Sequence, residues 1–95
     1  MKHYIIAKYN EKVADRDRFA REAEKLFSRA LETEGVRGVR VKRGLPLAPN
    51  RYDLMIIIDM DEKSLPLYNE SDYHAEWKRD YGEYLSSKAI FDEDD

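Results

Sequence analysis

The sequence predicts a single α+β domain whose elements run strand, helix, strand, strand, helix, strand. Three observations carry that prediction. Four separate stretches have strand character, two of them with apolar residues alternating at strand period, two intervening stretches change to helical period, and turn-forming residues gather at the junctions. With 95 residues the chain has room for one modest core and no second domain, so residues 1–95 are read as one unit.

Each element has its own signal. Residues 2–9 are rich in β-branched and aromatic types, with His3, Ile5, Ala7 and Tyr9 alternating against Tyr4, Ile6 and Lys8, as in a strand. Over 15–33 the period changes: Phe19, Ala23, Leu26, Phe27, Ala30 and Leu31 form one face, and Arg18, Arg21, Glu22, Lys25 and Arg29 the other. This predicts one amphipathic helix, capped by Asp15 and stopped by Gly35. Strand two, 36–43, alternates Val36, Val39 and Val41 with Arg37, Arg40, Lys42 and Arg43, a solvated basic face. A loop from Gly44 to Asn50 follows. Residues 52–60 are apolar on both faces, which predicts a strand covered on both sides.

The second half ends with two helical segments and a strand. A short turn over 64–69 has Ser64 as candidate cap and Pro66 in its first turn. A longer helix starts near Ser71, and Tyr73, Trp77, Tyr81, Tyr84 and Leu85 recur on one face of it, an aromatic stripe read as core, as are Met55 and Met60. Residues 87–92 form the last strand, and the acidic end 92–95 reads as a frayed tail. The whole is the ferredoxin-like βαββαβ order, a four-stranded antiparallel sheet with helices on one face. Two helices cover one face only, so the other needs a second copy of the chain, packed sheet to sheet into a dimeric α/β barrel.

Composition excludes several functions. There is no cysteine, so disulfides, thiolate metal sites and cysteine nucleophiles are absent together, which fits a cytoplasmic protein. The formal net charge of -3, with both signs interspersed, argues against a nucleic-acid partner. The apolar stretch after Lys2 is too short for a membrane span or signal peptide. Gly35, Gly38, Gly44 and Gly82 match no phosphate-binding spacing, no serine sits in a nucleophile elbow, and two histidines without cysteine leave a metal site short of ligands. No cofactor is expected.

The remaining candidates are few. His3 shares a strand face with Ile5 and Ala7, so it points either into the barrel, as a polar group at the mouth of an apolar cavity, or at a wet strand end, as a satisfied histidine. Tyr68 and His74 lie across the junction of the two helical segments, and that break allows a phenol and an imidazole to converge where a straight helix would not. Such a pair suits general acid-base chemistry; the plainer reading has Tyr68 at the core edge and His74 in a first helical turn.

With these residues in view, the chain resembles the stress-responsive A/B barrel (Dabb) family over nearly its whole length. The segments that carry the resemblance are Lys2 to Ile6, Gly35 to Val39, Tyr52 to Ile56, Tyr68 to Trp77 and Lys88 to Asp92, in that order and spacing. The resemblance implies a homodimeric barrel with a cavity in each subunit between sheet and helices. Most members resembled are of unassigned function. A few similar proteins are plant polyketide cyclases that close a linear polyketide without a cofactor, using a Tyr and a His. On that pattern Tyr68 and His74 take the catalytic positions and His3 a cavity-lining one. Where such sequences often read His-Pro-x-His, this chain reads Ser71-Asp72-Tyr73-His74. Three expectations follow, in order: a dimer binding a small apolar or aromatic carbonyl compound; a cofactor-free lyase, cyclase or isomerase; a monooxygenase of the wider barrel class.

Overall fold

A computed structural model describes residues 1–94 of the chain. Strand β1 spans Lys2–Tyr9, helix α1 Arg16–Phe27, strand β2 Val36–Arg43, strand β3 Leu54–Met60, helices α2 and α3 Leu65–Asn69 and Asp72–Glu76, and strand β4 Leu85–Glu93. All neighbours pair antiparallel in the order β2-β3-β1-β4, so the two ends of the chain meet on β1 and β4. This is the ferredoxin-like sheet the alternation predicts.

Strand period decides what each side of the sheet touches. His3, Ile5 and Ala7 on β1 and Leu54, Ile56 and Ile58 on β3 face the helices and are buried. They pack against Phe19, Ala23, Leu26 and Phe27 of α1 and against Tyr73 and Trp77. The opposite face carries Tyr4 and Ile6, Met55 and Ile57, and Phe91, the last 60% exposed. Met55 therefore belongs to the open face, whereas Met60 is fully buried.

The expected single helix over 15–33 is shorter. Asp15 caps it as predicted, its carboxylate accepting from the Arg18 backbone N–H at 3.0 Å. Beyond Phe27 the chain tightens into a 3₁₀ turn, Ser28–Glu32, which rotates Leu31 out to 53% exposure. Gly35 then turns the chain at φ +88°, and a Cβ there would lie 2.0 Å from Ser64 Oγ, so only glycine fits. Ser64 does not cap α2; its hydroxyl donates to the Glu34 carbonyl and ties that turn to the α1–β2 connection.

The second helical segment also breaks. Ser71 caps α3, accepting from the His74 N–H at 3.2 Å. A π turn, Trp77–Tyr81, and a 3₁₀ turn, Gly82–Tyr84, follow, so Tyr84 lies outside the helix and Leu85 opens β4. Tyr73 and Trp77 are core, while Tyr81 is only half-buried. The tail read as frayed is strand through Glu93: Asp92 bonds His3 and Glu93 accepts from the Tyr4 hydroxyl. Asp95 lies outside the described residues. The basic face of β2 is partly engaged, Arg37 with Asp59 and Asp61 and Arg43 with Asp17.

Candidate active site

A cavity of about 230 Å³ opens between the β1–β4 edge of the sheet and the α2–α3 segment. It is lined by His3, Ile5, Tyr68, Asn69, His74, Trp77, Lys78, Lys88 and Ile90. Strand period brings His3 and Ile5 to it from β1; the junction between α2 and α3 brings Tyr68 and His74. Trp77 and Lys78, at the start of the π turn, complete the lining, and such turns recur at functional sites.

The sequence candidates fall as follows. Tyr68 and His74 converge, with ring centroids 4.8 Å apart at 60°. His3 also packs edge-on against Tyr68, at 5.1 Å; it does not face the barrel, because strand alternation puts it with Ile5 and Ile58 on the helix-covered side of the sheet, away from the open face. Ile5 lines the cavity. Ala7 does not: it is fully buried beyond the cavity, beneath the helices.

Two polar atoms stand out. The Tyr68 hydroxyl and His74 Nδ1 are buried with no hydrogen-bond partner among the described residues, an arrangement that costs stability unless something else pairs with them. Their environments push the two groups apart. Burial, with smaller help from the charges of Tyr73 and Asp92, drives the Tyr68 phenol far above its ordinary value, so it stays protonated. Burial first, then Lys78, Lys88 and His3, push the His74 imidazole below its ordinary 6.5, opposed by the Asn69 carbonyl beside the ring. At neutral pH the site thus holds a neutral base against a protonated acid, the division of labour that acid-base sites require.

His3 has a firm partner that spacing did not reveal. Its Nδ1 lies 2.5 Å from an Asp92 carboxylate oxygen, which orients the ring against Tyr68. Asp92 was hidden in an acidic run that reads as a tail, and only the β1–β4 register, pairing position 3 with 92, exposes it. Lys78 and Lys88 were likewise unmarked among 17 basic residues. A larger hollow, about 390 Å³, lies between α1 and the 12–15 and 80–84 turns, rimmed by Lys12, Asp15, Arg18, Glu22 and Asp80. Lys12, Arg18, Glu22 and Asp80 there are in ion pairs, and no buried polar atom in it lacks a partner, so the smaller cavity is the better candidate.

No family model and no curated protein matches the sequence. Solved structures do match in shape. A dimeric ferredoxin-like protein of unknown function from Thermobifida fusca superposes with a TM-score of 0.76 at 18% identity, over 95% of this chain and 85% of that one. A Dabb family protein with a ferredoxin-like fold from Mesorhizobium loti gives 0.75 at 18% identity, over 99% and 94%. HapK from Hahella chejuensis gives 0.70 at 15% identity, over 98% and 92%. The chain therefore has the ferredoxin-like fold of these proteins, among them a Dabb family member.

Proposed function

We propose that the chain is a homodimeric protein of the stress-responsive A/B barrel kind that takes a small aromatic or apolar carbonyl compound into this cavity and moves a proton on it. The observation that carries the reading is the pair of buried, unpartnered polar atoms, Tyr68 hydroxyl and His74 Nδ1, on adjoining rings of one apolar pocket. A bound carbonyl would satisfy the hydroxyl. His74 takes the proton from the carbon next to the carbonyl; the C–H electron pair moves into the enolate, and Tyr68 donates a hydrogen bond to the enolate oxygen. The imidazolium then returns the proton at the same or another carbon, or the enolate attacks a second carbonyl within the same molecule and the imidazolium gives its proton to the alkoxide that forms. Isomerisation and ring closure are both variants of that step.

The test uses 4-phenyl-2-butanone, an aromatic ketone with exchangeable α-protons, in D₂O. NMR follows deuterium uptake next to the carbonyl. The expected result is protein-dependent exchange that falls by about 10²–10⁴-fold in His74→Gln, the usual worth of a positioned base, and by a smaller factor in Tyr68→Phe. Both variants should keep the fold, which melting curves check. Exchange at the buffer rate, or unaltered by His74→Gln, contradicts the proton-transfer reading and leaves a binding module.

A further inference from the structure

The lining of the cavity is unusual in charge. The chain has more acidic than basic residues, 20 against 17, yet the lining contains two lysines and no carboxylate. Lys78 enters from the π turn and Lys88 from β4, so they converge from opposite walls. Neither makes an ion pair or a hydrogen bond to any described residue, although most arginines on this surface are paired. Asp92, on the same strand as Lys88, is held by His3. Both ammonium fields reach the floor of the pocket, since both act on the His74 ring. Apolar contacts come from Ile5, Trp77 and Ile90.

From this we infer that the ligand is an anion: a small one-ring or similarly compact oxo acid whose carbonyl lies at Tyr68 and His74 and whose carboxylate lies between Lys78 and Lys88. The size follows from the cavity, which falls below the roughly 300–1,000 Å³ of drug-sized sites. The charge follows from two unpaired cations at a pocket with no acid to neutralise them, which favour an anion both on approach and when bound. The same cations lower the energy of an enolate formed at the floor, so the ground-state anion and the reactive intermediate are both accommodated. This inference rests on the proposed proton-transfer site for the placement of the carbonyl, and on the lysines alone for the charge.

The experiment compares phenylpyruvate with 4-phenyl-2-butanone, an acid and a neutral ketone of similar aromatic body. Binding of each is titrated at low and high salt to the wild-type protein and to a Lys78→Gln/Lys88→Gln variant, both positions being exposed and replaceable without loss of core. Phenylpyruvate should bind about tenfold more tightly at low salt, the worth of two partly solvated ion pairs, and lose most of that margin at high salt. The variant should bring the two probes to parity by weakening the acid alone. Equal binding of both probes by the wild type, a margin that survives in the variant, or no binding of either overturns the inference. The two readings fail separately. Ketone exchange that depends on His74 without any preference for the acid sinks the anion assignment only; a lysine-dependent preference without His74-dependent exchange supports it and sinks the proton transfer.

Discussion

His74 and Tyr68 are ordinary side chains in an environment that moves them in opposite directions, and this has a pH signature. A base must be unprotonated to act, so activity should stay level through neutrality and fall only as pH drops through a His74 value below 6.5. On the alkaline side Tyr68 remains protonated beyond the usual phenol value of 10, so no loss is expected there within the stable range. The pH dependence of exchange in the ketone assay checks this, with an acid limb at or above 6.5 contradicting it. At this scale the sequence was partly legible. The segment break between Tyr68 and His74 showed that the rings could meet; the 4.8 Å contact is the outcome. Ala7 went to the core because strand alternation assigns a face without assigning a position along it. Asp92 stayed hidden because its role depends on pairing across 89 residues.

Elements were most legible where one rule acted alone. Strands β1 and β2 begin and end where alternation places them, and Asp15 caps α1 as its side chain and position require. Boundaries shifted where tertiary contacts override local period: α1 tightens after Phe27, and the π turn at Trp77 breaks the aromatic stripe so that Leu85 becomes strand. One unread element is a clamp on the loop between β2 and β3. Asp53 accepts from the Tyr9 N–H at 2.8 Å and from Arg16 at 2.7 Å, and Arg16 covers the Tyr9 ring at 5.1 Å. Burial alone would raise the Asp53 carboxyl, but the Tyr9 N–H and the Arg16 guanidinium outweigh it and hold it below 3.8. Its contribution is therefore complete above 3.8 and is lost as pH falls through the lower native value. Asp53→Asn should cost about 1–3 kcal/mol near neutrality by stripping a buried hydrogen-bonded charge, and acid unfolding curves should show that difference shrinking toward low pH. A gap that is constant with pH would assign the loss to packing.

For the whole molecule, the face the helices leave open decides the assembly. Tyr4, Ile6, Met55, Ile57 and Phe91 form an apolar band across the central strands and β4, with Arg40 and Lys42 at the β2 edge. A second copy packed sheet to sheet would bury that band, and the Thermobifida fusca protein of the same fold is described as dimeric. Sedimentation at micromolar concentration should give twice the 11.3 kDa chain mass, and Ile57→Lys should shift it toward the monomer; a folded monomer in the wild type would contradict the barrel. The cavity lies on the opposite side of the sheet, so a ligand there and a second copy on the open face would not compete. The most direct test of the site is a map of amide shifts over the entire dimer as phenylpyruvate is added. The shifts should cluster on His3, Tyr68, His74, Lys78 and Lys88 and fade in Tyr68→Phe, whereas shifts centred on Ile57 and Phe91, or on the hollow beside Arg18, would contradict it.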